Sequence, residues 1–306
     1  MAGSSSKKAI VAAFLGNFLI AIIKFGAAAI TGSSAMFSEA VHSVVDTGNQ
    51  LLLLYGLRRA ARPPDHKHPF GYGKELYFWS FVVAILIFGL GAGISIYEGV
   101  HKIQNPAPIT RPIINYAVLG LAIVFELAAL LVAFREFRKT MGGRGFLAEV
   151  RRSKDPSLFT ILFEDSAAVL GLLVAFLGIY LSNALGLPML DGLASVGIGI
   201  ILAITAALLA YECKGLLTGE AAHPEVVAGV MKLLGQEPGI TTVNEVLTLH
   251  FGPAEVLLNV SLDFAEDLSA NDVEAAVSRM EAAIKGAYPE ITRVFIEAQN
   301  RRGLKG

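Results

Sequence analysis

Six long apolar segments dominate this sequence and leave few folds open to it. Each is about 20 residues or more, enough for an α-helix to cross the hydrocarbon core of a bilayer. The segments are Ala9–Ile30, Ser33–Leu57, Leu76–Tyr97, Pro112–Phe134, Leu158–Leu181 and Leu190–Leu209. With 54% hydrophobic residues and a mean hydropathy of +0.59, the chain is too apolar for an ordinary soluble domain. We therefore predict a polytopic α-helical membrane protein with six transmembrane helices.

Lysine and arginine are concentrated in alternate loops, which predicts how the six spans are oriented. Cytoplasmic loops of membrane proteins carry an excess of these residues. They cluster before the first span and after the second and fourth: Lys7, Lys8, Arg58, Arg59, Arg62, Lys67, Lys74, Arg135, Arg138, Lys139, Arg144, Arg151, Arg152 and Lys154. The other three loops contain Lys102 and Arg111. We predict cytoplasmic N- and C-termini, a plasma or inner membrane location and no cleavable signal.

Residues 213–306 differ from the rest of the chain, because they contain no further spanning segment and more acidic than basic residues. "HPEVVAGVMKLLGQEPG" has helical periodicity, and two strand-like runs flank a turn at Gly252–Pro253. A second helix opens with a capping box from Ser269 to Asp272, and "TRVFIEAQN" is a last strand. This αββαβ order predicts a cytoplasmic α+β ferredoxin-like domain after a transmembrane domain of residues 1–212. The acidic excess argues against nucleic-acid binding.

The second span contains polar residues where hydrocarbon would be expected, in "SEAVHSVVDTGNQ". Helical spacing places Glu39, His42, Asp46 and Asn49 in one stripe, because residues three and four apart share a helix face. A carboxylate near the bilayer centre costs about 2.5–3.5 kcal/mol on insertion scales, so such residues are functional candidates. The alternative is a pair of interhelical hydrogen bonds.

The fifth span carries a second acidic group, Glu164 and Asp165 in "LFEDSAAVLG". One imidazole and two or three carboxylates that converge from two helices can form a tetrahedral site for Zn²⁺ or a similar divalent ion. Neighbouring helical residues point about 100° apart, so Glu164 and Asp165 cannot face His42 equally. The single cysteine, Cys213, excludes a multi-thiolate site.

Other polar residues allow simpler interpretations. Lys24 lies near the outer end of the first span and is expected to extend its ammonium group towards the headgroups. Glu126 in the fourth span either pairs with a neighbouring helix or relays protons.

In the second loop, Asp65, His66 and His68 are potential ligands, but a basic juxtamembrane loop with incidental histidines explains them as well. The glycines of that loop do not match a nucleotide-binding P-loop, so no nucleotide is expected.

The segments "GSSAMFSEAVHSVVDTGNQ", "HPFGYGKEL", "EDSAAVLG" and "LDGLASVGIGIIL" together resemble the cation diffusion facilitator family of divalent-metal transporters. The resemblance covers nearly the whole chain and is nearest to the branch that includes the animal mitochondrial zinc transporter. It implies a homodimer, joined through the C-terminal domain, that exchanges Zn²⁺ or a related ion for protons.

The family's motifs can be transferred to this chain one residue at a time. His42 and Asp46 match the second-span metal pair, and Asp165 matches the aspartate that ends the fifth-span motif. Ile161 stands where that motif has another ligand, which makes Glu164 the substitute. Asp65 and His68 match a loop metal site of some members, although Tyr72 replaces its second histidine.

The resemblance implies no metal cluster in the tail. The tail positions that bind zinc in certain bacterial members hold Asn244, Ser261 and Glu297 in this chain.

The expected activity is secondary transport rather than catalysis. Metal binding requires a neutral imidazole and an ionised carboxylate, and a histidine titrates near pH 6.5, so protons and metal compete for one site. Alternating access around a midplane site would couple the two flows. A metallohydrolase would need a pattern such as H-E-x-x-H, which is absent. The alternatives are Mn²⁺, Fe²⁺ or Co²⁺ as the ion, and a metal sensor that does not transport.

Overall fold

The computed structural model describes residues 2–140 and 154–299, with the side chains of 2–16, 136, 139, 140, 157 and 158 left out. These residues form two compact units. One consists of the described residues among 1–58, 78–150 and 156–213, and the other of those among 59–77, 151–155 and 214–306. Arg144, Arg151 and Arg152, which contribute to the predicted orientation, lie outside the described residues, as do the side chains of Lys7, Lys8 and Lys139.

Long helices coincide with all six apolar segments. They are α1 (Ala2–Thr31), α2 (Ser34–Ala60), α3 (Lys74–Leu86) continued through a π-helical turn (Ile87–Ala92) into α4 (Gly93–Gln104), α5 (Pro112–Thr140), α6 (Pro156–Leu185) and α7 (Met189–Thr218). Leu172, Ile179, Ile198 and Leu202 are among the fully buried side chains of this helical unit. The π-turn contains Gly89 and Gly91, and such turns are inserted where a helix departs from regular packing.

Four helices in the described part of the chain are long and apolar enough to cross a membrane. They are Lys74–Gln104, Pro112–Arg135, Phe159–Leu185 and Met189–Thr218. In α1 the described side chains provide a shorter apolar stretch, Asn17–Thr31. A helical membrane protein is therefore confirmed, and spanning by α1 and α2 remains a prediction.

An aspartate on α7 caps the start of α2. The Asp191 carboxylate accepts hydrogen bonds from the Ser33 hydroxyl (2.6 Å), the Ser34 backbone N–H (2.7 Å) and hydroxyl (3.1 Å), and the Ala35 backbone N–H (3.3 Å). These groups include donors that a helix N-terminus leaves without intrahelical partners. Lys102, expected in a loop, is instead a buried residue of α4 whose ammonium donates to the Gly32 carbonyl at 2.7 Å. Gly32 itself has φ of 69°, which favours glycine in the short turn before α2.

The second unit has the predicted αββαβ order. Its elements are α8 (Pro224–Leu234), β1 (Ile240–Gly252), β2 (Glu255–Phe264), α9 (Ala270–Ala287) and β3 (Ile291–Ala298). In the described residues β2 is the central strand, antiparallel to β1 and parallel to β3. Alternate residues of β2, among them Val256, Leu258, Val260 and Leu262, enter a core with residues of α8 and α9. The turn after Gly252 and the reciprocal Ser269–Asp272 capping box are confirmed.

The segment between α2 and α3 belongs to this second unit and packs on its hairpin. The Phe70 ring stacks on the Phe251 ring with centroids 4.8 Å apart, and the Arg293 guanidinium lies over Phe70 at 5.3 Å. Arg293 also donates to the Pro69 carbonyl at 3.1 Å. Gly73 lies so close to the Phe251 carbonyl that a Cβ there would approach its oxygen to 2.3 Å. A side chain at position 73 would separate the two segments.

Candidate functional site

The polar stripe of α2 faces the interior of the helical unit. Glu39, His42 and Asn49 are buried, and Asp46 is largely so. His42 Nδ1 lies 3.3 Å from Asp46 Oδ1, one helical turn away. Neither ring nitrogen of His42 has a hydrogen-bond partner among the described residues, so the unprotonated nitrogen of a neutral ring could accept a ligand.

Carboxylates from three helices line one small cavity in this unit. Its volume is about 40 Å³, which is room for a few waters or one bare ion. The lining residues are Asn17, Ile20, Ser43, Asp46, Gln50, Glu126, Ile161, Glu164 and Asp165. The structure thus brings Asp46 of α2, Glu126 of α5 and the Glu164–Asp165 pair of α6 together at one place. His42 is not among the lining residues, although its Nδ1 lies 3.3 Å from Oδ1 of the lining residue Asp46.

Asn49 holds Glu164 at the cavity wall. Its side-chain amide donates to Glu164 Oε1 at 2.7 Å, and both side chains are buried. A buried carboxylate needs such donors, because burial removes its hydration. Although neighbouring helical residues diverge by about 100°, Glu164 and Asp165 both reach the cavity.

The described residues are not arranged as a closed coordination shell. No three His, Cys, Asp or Glu side chains among them stand close enough together to hold one metal ion. The cavity therefore gathers carboxylates around a space, and ligation by several of them requires side chains to move inwards.

The expectation for Lys24 is wrong. Its side chain is only 1% exposed, and its ammonium donates to Glu39 Oε2 at 3.1 Å and to Ser43 Oγ at 2.8 Å. A buried ammonium group needs an anionic partner, and the Glu39 carboxylate provides one inside the helical unit. The Lys24 side chain therefore does not extend to the headgroups. Glu39 is therefore the partner of a lysine in this structure.

In the second loop, Asp65 organises the backbone. Its Oδ1 accepts from the backbone N–H groups of Lys67 (2.9 Å) and His68 (2.8 Å), and its Oδ2 accepts from the Tyr72 hydroxyl (2.7 Å). The Tyr72 hydrogen bond, followed by that from His68, holds the pKa of the Asp65 carboxyl below its usual range. His68 Nδ1 is 3.6 Å from Asp65 Oδ1. Both Asp65 oxygens are thus already engaged, and a loop metal site remains a prediction.

In the tail, two of the residues that replace the zinc ligands of certain bacterial members, Asn244 and Ser261, form hydrogen bonds with Gln299, just after β3. The Asn244 amide donates to the Gln299 carbonyl at 2.8 Å, and the Ser261 hydroxyl donates to Gln299 Oε1 at 3.2 Å. His250, by contrast, is buried on β1 with Nδ1 3.2 Å from the Gly252 carbonyl. Burial lowers the pKa of His250 below its ordinary value.

Comparison with known proteins identifies the family. The profile of the cation efflux transmembrane domain matches residues 10–218, about two thirds of the chain. The chain belongs to the cation efflux family, also called the cation diffusion facilitators. The mitochondrial proton-coupled zinc antiporter SLC30A9 of Xenopus laevis is 33% identical over 329 residues, covering 95% of this chain and 59% of the antiporter. Its human counterpart is 37% identical over 259 residues, covering 84% of this chain and 46% of the antiporter.

A shorter relative is similar over most of its length. The cation-efflux pump FieF of Escherichia coli is 24% identical over 286 residues, covering 93% of this chain and 89% of the pump. The chain spans only about half the length of the SLC30A9 relatives. The predicted family and its branch with the animal mitochondrial proteins are confirmed.

Sequence reasoning on this cation efflux protein missed some residues of the cavity. Ser43 and Gln50 line it, and both lie on the α2 stripe at the spacing Glu39, Ser43, Asp46, Gln50. That i, i+4, i+7, i+11 pattern was a usable signal, because it marks one helix face. Ile161, at the missing ligand position, also lines the cavity. Its apolar side chain leaves that part of the wall without a donor.

Proposed function

We propose that this protein is a secondary transporter that exports a divalent cation, Zn²⁺, from the cytoplasm in exchange for protons. The observation that carries the proposal is the meeting of Asp46, Glu164 and Asp165 at one small cavity between helices. Carboxylates are rare inside membrane helices unless a counter-ion or a proton compensates them. The relatives, which are named as a proton-coupled zinc antiporter and a cation-efflux pump, support the same activity.

The metal ligands in this proposal are His42, Asp46, Asp165 and Glu164. One imidazole nitrogen with carboxylate oxygens is a donor set that Zn²⁺ accepts readily. The unpartnered ring nitrogens of His42 and the 3.3 Å approach of His42 to Asp46 support a shared ligand pair. Asn49 orients Glu164, as outer partners of ligating carboxylates commonly do.

Protons and metal exclude each other at these ligands. Metal binding on the cytoplasmic side requires deprotonated ligands and releases protons there. On the opposite side, a higher proton activity returns protons to the ligands and displaces the metal. Helix bundles that rock around the site would expose it alternately to each side. Glu126, which also lines the cavity, would receive a proton from Asp46 or Asp165 in this proposal.

The proposal includes the architecture predicted from the sequence. All of α1–α7 would form six membrane spans in a domain of residues 1–212, with both termini in the cytoplasm. Residues 213–306 would form a ferredoxin-like domain through which two copies dimerise. The αββαβ order and the four long apolar helices support this arrangement.

Transport by purified protein in proteoliposomes tests the proposal. We expect an imposed pH gradient to drive Zn²⁺ uptake, and Asp46→Ala and Asp165→Ala each to lower the initial rate at least 50-fold. Glu98→Ala is the matched control, because it removes a carboxylate of α4 that does not line the cavity. Full uptake by either aspartate variant would refute the site, and Zn²⁺ binding without flux in the wild type would indicate a sensor. Competition by Mn²⁺, Fe²⁺ and Co²⁺ in the same assay ranks the ions.

A further inference from the structure

Lys24 is a buried cation beside an acidic cavity. Its ammonium is held by Glu39 Oε2 and Ser43 Oγ, at 3.1 and 2.8 Å. Both ionic partners are almost completely buried, at 1% and 0% exposure. Burying two charges is costly and is not expected to add stability over an apolar pair. A role other than stability is therefore worth seeking for this ion pair.

The contacts of Lys24 place its charge next to the candidate metal position. Ser43, which accepts its hydrogen bond, lines the cavity together with Asp46 and Glu164. The ammonium also interacts electrostatically with His42, Asp46 and Glu126.

Neither Lys24 nor Glu39 is among the lining residues. Lys24 contacts the lining residue Ser43, whereas Glu39 Oε1 lies against Gly171 of α6, where a Cβ would approach it to 2.5 Å. Among the described residues, Lys24 is the cation whose charge acts on Asp46 and Glu126 of the cavity wall.

We propose that Lys24 is a built-in competitor of the transported ion. Glu39 anchors the Lys24 ammonium beside the cavity, so that it does not enter the metal position. The inference rests on the proposed function and adds two positioning residues to it. A cavity with several carboxylates attracts a divalent ion strongly, and a fixed positive charge nearby lowers that affinity. The ion can then leave at the other side of the membrane, because a transport site must release what it binds.

The two members of the pair should have opposite effects on metal affinity. Loss of the Glu39 charge frees the ammonium to move towards Asp46, where it competes directly with the metal. Loss of both charges removes the competitor, and of the two lost groups only the ammonium bonds to the cavity-lining residue Ser43 among the described contacts. Zn²⁺ should therefore bind more weakly to Glu39→Gln than to the wild type, and more tightly to the Lys24→Met/Glu39→Gln double variant.

Calorimetric titration of the purified full chain with Zn²⁺ tests this directly. We expect Glu39→Gln to raise the Kd at least tenfold and the double variant to lower it at least threefold relative to wild type. A return to the wild-type Kd would show only that an unpaired buried ammonium had been removed. The decisive result is therefore a double variant that binds Zn²⁺ more tightly than the wild type. Lys102→Met is the matched control. It also removes a buried ammonium, but one bonded to the Gly32 carbonyl and 4.0 Å from Asp191 Oδ2, neither of which lines the cavity, and its Kd should stay within threefold of wild type.

The outcomes separate this inference from the proposed function. Asp46→Ala is titrated in parallel as the reference for a lost ligand. Suppose that the wild type binds Zn²⁺ and Asp46→Ala does not. The metal site then stands, and the role of Lys24 is refuted if Glu39→Gln binds Zn²⁺ no more weakly than the wild type or if the double variant binds it no more tightly. If the wild type binds no Zn²⁺, or Asp46→Ala binds it equally well, the proposed function fails and this inference fails with it. Should Glu39→Gln not fold, the double variant alone decides by the same threshold.

Discussion

At the scale of single residues, the site depends on how buried polar groups find partners. Asn49 and Glu164 are 115 positions apart in the chain, yet the Asn49 amide donates to Glu164 Oε1 at 2.7 Å. The hydrogen bond keeps the Glu164 side chain at the cavity, where Ile161 cannot ligate. In the proposed site Glu164 would take the role that the family motif gives to the residue at position 161.

Replacement of Glu164 by Gln tests that role. If Glu164 binds the metal, Glu164→Gln should weaken Zn²⁺ affinity at least tenfold, because an oxygen-rich site loses a charged ligand. If Glu164 only carries protons, affinity should survive while pH-driven exchange is lost. Zn²⁺ titration and proteoliposome flux on the same preparation distinguish the two roles. Unchanged affinity together with unchanged exchange would rule out both.

His250 should make the free energy of unfolding of the tail depend on pH. Burial lowers the pKa of this imidazole from its ordinary value of 6.5. At a pH between the lowered pKa of the folded protein and 6.5, the unfolded chain binds a proton at His250 that the folded chain does not. The free energy of unfolding therefore falls as the pH drops below 6.5. We expect amide hydrogen exchange in β1 and β2, corrected for intrinsic rates, to show lower protection at pH 5.5 than at pH 7.5.

A matched pair of variants checks the assignment to His250. His250→Gln retains an N–H donor for the Gly252 carbonyl but does not titrate, so most of the pH dependence in β1 and β2 should disappear. His66→Gln changes an exposed histidine of the second loop and should leave the dependence intact. Equal profiles for wild type and His250→Gln would show that another group is responsible.

At the scale of helices, small residues set how closely α4 and α7 approach. A Cβ on Gly99 would come within 2.6 Å of the Gly192 carbonyl oxygen, and a Cβ on Gly192 within 2.8 Å of the Gly99 carbonyl oxygen. Backbone-to-backbone contact of this kind is how membrane helices gain packing energy without a hydrophobic driving force. Asp191, beside Gly192, then lies near enough to α2 to cap its first turn.

Gly192→Val should separate these helices. Overpacking of this kind costs about 1–3 kcal/mol, and here the obstacle is backbone, which cannot rotate away as a side chain can. We expect a lower melting temperature and a smaller yield of monodisperse protein, measured by fluorescence-detected size-exclusion chromatography after heating. Gly120→Val on α5 is the control, because a Cβ there meets nothing within 4 Å. Equal thermal stability of the two variants would contradict the close α4–α7 contact.

At the scale of the whole molecule, the described helices of the tail, α8 and α9, contribute their core residues to one face of the tail sheet. Leu247, Asn259 and Phe295 lie side by side across β1, β2 and β3, on the face opposite the core residues of β2. Leu247 and Phe295 are 50% and 51% exposed. Two large apolar side chains on an exposed sheet face fit the proposed dimer contact better than lasting exposure to water.

Phe295→Asp should therefore weaken dimerisation of the full chain at least tenfold, since it places a charge in an apolar contact. Mass photometry over a dilution series measures the dimer fraction. Ser278→Asp is the control, because it adds the same charge on α9 of the tail, away from the exposed sheet face, and it should have little effect. Truncation after Thr218, where α7 ends, should reduce the dimer fraction more than it reduces Zn²⁺ binding. An unchanged dimer in both Phe295→Asp and the truncated chain would exclude the tail as the contact.

Local patterns in the sequence determined much of this protein. Apolar runs predict the long helices, alternating residues around Gly252 predict the β-hairpin, and Ser269 with Asp272 predicts the start of α9. The stripe on α2 and the Glu164–Asp165 pair could also be found, because helical spacing and intramembrane charge are readable without coordinates. In each case the interacting residues lie within a few positions of one another along the chain.

Only the tertiary structure decided which of these groups meet. The pairing of Lys24 with Glu39, the Asn49–Glu164 hydrogen bond, the capping of α2 by Asp191 and the place of Glu126 at the cavity join different helices. Such contacts depend on how each helix is rotated and shifted along its axis, and that is set by the packing of many small and large side chains together. A periodic pattern specifies which residues share a face of one helix, but not which residue of another helix lies opposite.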